Sequence, residues 1–298
     1  MAGEERRWFA AGLLAGLFVL VLAVRMAAPT PADDMVSPAG PAPVVPRFAA
    51  GEPPAPAKKK LPIYSVQTDA RRIAISFDAT WGADKTPKIL EILRRYNVKT
   101  TFFLVSMWIR KYPEETRMIA REGHEIGLHS ATHPDFRTLS DAEIRRELED
   151  NLRAVRETAG FEARLFRPPF GAYDDRVITV VESMGIIPIQ WDVDSLDWMD
   201  VTPQQIVDRV TRLVRPGSIV LFHNNAESTP AALPEILRRL QGEGYEIVPV
   251  SQLLHKGPYY IDHTGRQIPT GPPRLAPAPS PGREPEGGGG GNGDGNRS

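Results

Sequence analysis

The chain has 298 residues, of which 41% are hydrophobic and 24% are charged, and its formal net charge at pH 7 is −1. This near-neutral balance excludes the strongly basic composition of a typical nucleic-acid-binding protein, so no nucleic-acid partner is expected. The absence of cysteine excludes disulfides, lipidated cysteine and thiolate metal ligands. Any metal site must therefore be built from histidine and carboxylate side chains.

Residues 1–26 are typical of a signal peptide or a signal-anchor helix. Two arginines precede an uncharged run over 8–24, which is about the lower length limit for crossing a bilayer. This charge distribution favours an N-terminus inside the cell, with the rest of the chain outside the cytoplasm. Arg25 interrupts the small-residue pattern of a cleavage site, although 30–32 supplies one. The sequence thus predicts an extracytoplasmic protein, which is either anchored in the membrane through its N-terminal segment or secreted after cleavage.

The middle of the chain differs in composition from both flanks. A Pro/Ala-rich linker is expected over 27–60 and a Pro/Gly-rich disordered tail over 257–298, because neither segment can bury a core. Between them, over 61–256, apolar runs alternate with helical patterns. Strands are predicted near 72–77, 99–105, 125–129, 164–166, 186–191, 218–222 and 245–250. Helices are predicted near 86–95, 113–122, 140–159, 174–184, 203–214 and 231–241.

These elements form about seven βα units, one fewer than a regular eightfold barrel requires. The predicted fold is an α/β single domain with a distorted or incomplete (β/α) barrel. Local signals support the helix boundaries: Thr86 is the expected N-cap of the first helix, Ser140 and Glu143 form a capping box, and Gly160 ends the third predicted helix.

Polar clusters follow five of the predicted strands directly. They occupy 76–82, 129–134, 167–173, 192–198 and 221–225. In parallel α/β folds the functional groups collect at the carboxyl ends of the strands, so these clusters are expected to meet at one rim. His129 and His133 lie in one loop and supply half of a metal site. His124, His255 and His263 match no such pattern.

The five clusters resemble, in order, the motifs of the polysaccharide deacetylases of the NodB homology type, also called carbohydrate esterase family 4. The family patterns are Thr-Phe-Asp-Asp-Gly, His-Ser/Thr-x-x-x-His or a form one residue shorter, Arg-x-Pro-aromatic, Asp-x-x-Asp-Trp and Leu-x-His. The resemblance spans about 72–254. The variant sequence over 77–82, together with the N-terminal segment, resembles the sporulation and envelope branch of the family.

The resemblance implies roles for the proton-handling residues. Asp78 would act as the base that takes a proton from the attacking water, and His223 as the acid that protonates the departing amine. Arg167 would pair with Asp78 and keep it ionised, while Asp197 would hydrogen-bond His223 and raise its pKa. Purely structural alternatives remain open for Asp78, as a loop cap, and for Arg167, as an ordinary ion pair.

The same resemblance makes His129 and His133 ligands of a divalent metal, with zinc as the expected ion. The family's third ligand is an aspartate, but this chain has Ala79 at that position. Two histidines with waters would hold a metal more weakly, or Asp78 itself or Asp84 from the following loop would replace the missing ligand, and the sequence does not rank these alternatives.

The remaining implied roles concern the substrate. Tyr173 and Trp198 would line the acetyl and sugar pocket, and the backbone N–H of Phe170 would stabilise the oxyanion. Trp81 and Trp198 have a second interpretation as core residues. The predicted function is metal-dependent de-N-acetylation of an N-acetylated envelope glycan such as peptidoglycan. The alternative, prompted by Ala79, is a catalytically weak or inactive protein that binds wall glycan or serves envelope assembly.

Overall fold

The computed structural model describes residues 59–271. The predicted N-terminal segment, almost all of the linker, and the end of the predicted tail lie outside these residues. The strands are β1 Ser65–Val66, β2 Arg72–Ala79, β3 Thr101–Leu104, β4 Glu125–Leu128, β5 Leu165–Phe166, β6 Ile187–Pro188, β7 Val193–Asp194, β8 Ile219–His223, β9 Glu246–Ile247, β10 Tyr259–Ile261 and β11 Arg266–Pro269. The helices are α1 Thr86–Arg95, α2 Ser106–Lys111, α3 Pro113–Arg121, α4 Asp141–Ala159, α5 Asp175–Ser183, α6 Pro203–Leu213, α7 Thr229–Gly242 and α8 Val250–Leu253.

The main sheet is parallel and has the strand order β6-β5-β4-β3-β2-β8-β7, with β9 pairing separately with β2. Strands β6 and β7 lie at opposite edges, yet the chain connects Pro188 to Val193 directly. Five extended residue steps span at most about 18 Å, whereas seven flat strands would separate the edges by about 29 Å. The sheet must therefore curl. It forms a half-barrel, which confirms the prediction of an incomplete (β/α) barrel.

The two faces of the sheet carry separate apolar clusters. Side chains alternate along β2, so that Ile73, Ile75 and Phe77 pack under the helices while Ala74 faces the concave side. The concave cluster is closed by residues from α8 and the chain around Ile63. By the same alternation, Ser76 and Asp78 share the concave face with Ala74, which places polar groups inside the half-barrel above its apolar floor.

Helix boundaries follow the sequence signals at α4 but not at α1. Ser140 and Glu143 form the predicted capping box, and Gly160 ends α4 with a φ of 63°. The prediction of Thr86 as the N-cap of α1 is wrong, since Lys85 occupies that position without a side-chain cap. Thr86 is buried instead, and its hydroxyl accepts a hydrogen bond from Asn224.

The domain extends beyond the predicted boundary at 256. Strands β10 and β11 lie within the segment that we expected to be a disordered tail, and β11 pairs with β1 to form a three-stranded sheet. The turn between them contains Gly265, where an added Cβ would lie 2.2 Å from the Tyr64 ring. Partners distant in sequence thus order a segment whose composition suggested a loop.

Candidate active site

Asp78 and Arg167 form a buried ion pair on the concave side of the half-barrel. The carboxylate Oδ1 lies 2.7 Å from Arg167 Nη1, and Nη2 also donates to the hydroxyl of Ser76 and the carbonyl of Gln190. The guanidinium lies 4.1 Å from the centre of the Phe103 ring. Burial would raise the pKa of Asp78, but the Arg167 charge, with smaller effects of nearby histidines, outweighs it and lowers the pKa. Asp78 is therefore an ionised carboxylate near neutral pH.

Strand register brings His223 beside this carboxylate. Asp78 and His223 are partners across β2 and β8, at the carboxyl ends of both strands. Asp197 accepts hydrogen bonds from both His223 Nδ1 and the His223 backbone N–H, each at 2.8 Å, and a third from the hydroxyl of Thr229. Burial lowers the pKa of His223, but the hydrogen bond and charge of Asp197, aided by other carboxylates, raise it overall. An imidazole that holds its proton more strongly than a free histidine thus stands next to an ionised carboxylate.

His129 is held with a defined tautomer. Its Nδ1 lies 2.7 Å from the backbone carbonyl of Arg167, which can only accept, so Nδ1 carries the proton and Nε2 keeps its lone pair. Nε2 lies 3.5 Å from Asp78 Oδ2. Burial lowers the pKa of His129. A neutral imidazole whose second nitrogen donates to a carbonyl is the usual state of a histidine that binds a metal.

His133 lies next to His129, with ring centres 5.0 Å apart. Burial, reinforced by His129, lowers the pKa of His133 to about 3. The loop between them is strained, because Ser130 and His133 have φ values of 78° and 62°. The ring of Phe170, another residue with positive φ, packs on His133 at 4.5 Å. The two imidazoles thus share one side of the site in fixed orientations.

Two residues of α4 hold this histidine loop, and the sequence analysis missed both. Asn151 is buried, and its side chain accepts from the backbone N–H of His129 at 2.8 Å. Glu147, one turn earlier, accepts from the backbone N–H groups of Ala131 and Thr132. The sequence signal that could have identified Asn151 is its amide side chain within the otherwise apolar stripe of α4.

The predicted substrate residues occupy different environments. Trp198 and Phe170 are exposed at the rim, as is Trp81, so the alternative that the two tryptophans fill the core is wrong. Tyr173 is half-buried, and its hydroxyl lies 2.9 Å from that of Tyr64. The placement of Tyr173 in the sugar pocket remains a prediction.

The residues present supply two metal ligands, His129 and His133. The position of the family's third ligand carries alanine and offers no ligand atom. Ala79 is buried in the apolar cluster under the helices, and the carboxylate of Asp84 forms an ion pair with Lys85. Within 59–271, no three histidine, cysteine, aspartate or glutamate side chains are arranged to hold a metal ion. His129 and His133 have the neutral state and free lone pair that a metal requires. The donor set therefore supplies two imidazole ligands, and Asp78, whose Oδ2 lies 3.5 Å from His129 Nε2, stays the predicted alternative for the third.

Comparison with known proteins agrees with this architecture. The family described as Polysaccharide deacetylase matches residues 65–189. A peptidoglycan-N-acetylglucosamine deacetylase of Bacillus cereus is 33% identical over 196 residues, which cover 64% of this chain and 92% of that protein. The uncharacterized protein YlxY of Bacillus subtilis is 31% identical, and the match covers 65% of this chain but only 60% of YlxY.

Among solved structures, a CE4 family pseudoenzyme from Bacillus anthracis matches with a TM-score of 0.64 and 34% identity, covering 66% of this chain and 69% of that chain. A mutant of that pseudoenzyme, described as having restored enzymatic activity, matches equally well, with 35% identity and 72% of its chain covered. These similarities extend over most of the described residues. The chain therefore belongs to the polysaccharide deacetylase family, carbohydrate esterase family 4, a family of hydrolases that act on N-acetyl amide bonds.

Proposed function

We propose that this chain removes N-acetyl groups from an envelope glycan such as peptidoglycan, outside the cytoplasm and with the help of a divalent metal, for which zinc is the first candidate. The observation that carries the proposal is that Asp78, paired with Arg167, and His223, hydrogen-bonded to Asp197, are register partners on adjacent strands. Amide hydrolysis needs a base for water and an acid for the leaving amine at the same centre. Relatives named for action on peptidoglycan support the choice of substrate.

The residues divide the reaction between them. Asp78 accepts the proton of the attacking water as its oxygen bonds to the acetyl carbonyl carbon. His223 then donates its proton to the amide nitrogen as the C–N bond breaks, so acetate and a free amine leave. Arg167 keeps Asp78 ionised, and Asp197 keeps His223 protonated and oriented. The backbone N–H of Phe170 is the proposed donor to the oxyanion.

His129 and His133 would hold the metal in this proposal. When bound, a divalent cation lowers the pKa of water and polarises the acetyl carbonyl. The free lone pair on His129 Nε2 and the low pKa of His133 support their assignment as ligands. Solvent or substrate oxygen would complete the coordination, because the chain offers Ala79 in place of a third ligand.

The proposed location rests on the uncharged run over 8–24 and on the relatives that act on peptidoglycan. Within residues 59–271, the structure contains no helix with the length and apolarity needed to span a bilayer. Residues 1–26, which are the proposed membrane anchor or signal peptide, lie outside that range.

A second candidate function is glycan binding without efficient turnover, in envelope or spore assembly. Ala79 favours it, because a metal held by two imidazoles lacks the charge that a carboxylate contributes. The similarity to a pseudoenzyme of the same family points the same way.

Acetate release from chitotetraose, a four-unit N-acetylglucosamine oligomer, and from N-acetylated peptidoglycan, measured on the full chain with zinc supplied, separates the two candidates. We expect turnover in the native protein and a loss of a hundredfold or more in both His223→Ala and Asp78→Asn. Leu213→Ala, an exposed change on α6, is the matched control and should retain the native rate. If the native protein binds the oligomer but releases no acetate, the hydrolase proposal is wrong and the binding candidate stands.

A further inference from the structure

Exposed apolar side chains are concentrated at the carboxyl edge of the sheet. Of the eight large apolar side chains that are exposed within 59–271, five lie on segments that directly follow β2, β3, β5 or β7. We call these five the apolar rim: Trp81, Met107, Phe170, Trp198 and Met199. Single exposed apolar residues are ordinary, but a group on one edge marks a binding surface.

Trp81 has no role in the proton-handling machinery, and its loop is firmly held. The carbonyl of the next residue, Gly82, accepts hydrogen bonds from Trp108 Nε1 at 2.6 Å and from Asn224 Nδ2 at 2.9 Å. Trp108 is buried, whereas the Trp81 side chain is 56% exposed. The chain thus uses two fixed contacts to present an indole to solvent close to Asp78. Exposing an apolar ring to water is unfavourable, and a ligand that covers the ring would remove this cost.

The loops that carry Trp81 and Trp198 lie on either side of His223. Strand β8, which ends at His223, pairs with β2 on one side and with β7 on the other. Trp81 lies three residues after Asp78. Trp198 directly follows Asp197, which binds His223, and its side chain is 58% exposed. Two strand spacings, about 10 Å, separate the strands that lead into these two loops. This distance is comparable with the length of a disaccharide.

The chemistry of this edge selects a sugar chain as the ligand. A pyranose ring presents an apolar C–H face, which stacks on an aromatic ring, and polar edges, which hydrogen-bond to groups between the rings. Here Trp81 and Trp198 lie on either side of His223, whose ring is partly exposed. A purely apolar lipid or peptide would desolvate this ring without offering it a further hydrogen-bond partner.

We propose that Trp81 is a sugar-stacking platform that acts together with Trp198, so that neighbouring units of an N-acetylated glycan bind on both sides of His223. The site then prefers an oligomer over a single N-acetylglucosamine. This inference rests on the proposed glycan substrate, and it assigns a binding role to a residue outside the proton-handling pair.

Isothermal titration calorimetry with N-acetylglucosamine and chitotetraose tests the inference on the full chain. A His223→Ala background prevents consumption of the oligomer during the titration. In that background we expect the tetramer to bind at least tenfold more tightly than the monomer. Adding Trp81→Ala should weaken tetramer binding about tenfold, the order expected for loss of an aromatic contact, and leave monomer binding unchanged. Trp81→Phe keeps a ring and should retain most of the affinity.

Leu213→Ala in the same background is the matched control, since it removes an exposed apolar side chain at the C-terminal end of α6, outside the apolar rim. Equal tetramer affinities in the Trp81→Ala and Leu213→Ala proteins would overturn the inference, as would equal binding of monomer and tetramer. These titrations measure binding and do not depend on turnover. If the native protein releases no acetate, the hydrolase proposal is wrong, but the effect of Trp81→Ala on oligomer binding can still be interpreted.

Discussion

His124 should make the folded chain less stable as the pH falls below neutrality. The side chain is buried against Phe102, its Nδ1 accepts from the backbone N–H of Thr100 at 3.2 Å, and its Nε2 has no partner among the described residues. Burial, reinforced by the charge of Lys99, lowers the pKa of His124 to about 4. A histidine in the unfolded chain has a pKa of about 6.5. The unfolded state therefore binds a proton first, and stability is lost as the pH falls from 6.5 to 4.

The magnitude follows from the size of the shift. A difference of about 2.5 pKa units, at about 1.4 kcal/mol per unit, gives a loss of about 3.5 kcal/mol in the free energy of unfolding well below pH 4. At pH 5 the same shift corresponds to about 2 kcal/mol. With a urea dependence of about 2 kcal/mol per molar, the unfolding midpoint should fall by about 1 M from this residue alone.

Urea unfolding of the native protein and of His124→Asn, at about pH 7.5 and about pH 5, measures this contribution. Asparagine keeps an acceptor for the Thr100 backbone N–H but does not titrate. Burial also lowers the pKa values of His129 and His133, so the native protein loses stability from several groups, and only the difference between the two proteins reports on His124. His263→Asn, in the exposed turn before β11, is the matched control. If His124→Asn and His263→Asn lose the same stability as the native protein at the lower pH, the argument from burial is wrong.

Three further predictions address the metal ligands, the histidine loop and one backbone contact. Ala79→Asp should tighten zinc binding at least tenfold in a chelator competition, because a carboxylate adds charge and a third ligand; unchanged affinity would show that position 79 does not face the metal. Asn151→Ala leaves the buried N–H of His129 without its side-chain partner and should cost about 1 to 3 kcal/mol in urea unfolding, and a smaller loss would show that the loop relaxes. Gly217→Ala places a Cβ 1.7 Å from the carbonyl oxygen of Val66 at a φ of 85°, so the melting temperature should fall by several degrees.

The sequence predicted which residues lie at the rim of the site, because each polar cluster can be recognised from its immediate neighbours in the chain. Each polar cluster follows an apolar run, and parallel strands bring their carboxyl ends to one edge whatever their order. Asp78 and His223 are 145 positions apart in the numbering, yet their placement at strand ends was enough to expect them at the same edge. The position of Arg167 follows in the same way.

The structural features that the sequence did not reveal depend on contacts between residues that are distant in sequence. The apolar run over 186–191 was predicted as one strand, but its pairing with β5 ends at Pro188 and Ile189 bridges to Ile63 instead. Gln190 then turns inward to accept from Arg167, and Val193 pairs at the opposite edge. Hydrophobic periodicity does not reveal which neighbour a strand will find. The strand over 266–269 and the buried Asn151 were missed for the same reason, because their stabilising contacts are distant in sequence.

The ionisation of Asp78 depends mainly on Arg167 and only secondarily on the metal side of the site. Its carboxylate owes its charge to Arg167, and the protonation of His223 owes most to Asp197, so both states persist when position 79 carries alanine. The two metal-side histidines, in contrast, belong to a single loop that α4 holds from outside the half-barrel. A substitution at position 79 is therefore expected to leave the states of Asp78 and His223 unchanged, whatever its effect on metal affinity. Efficient deacetylation and glycan binding with little turnover are both compatible with this separation, so metal affinity and oligomer binding have to be measured independently of acetate release.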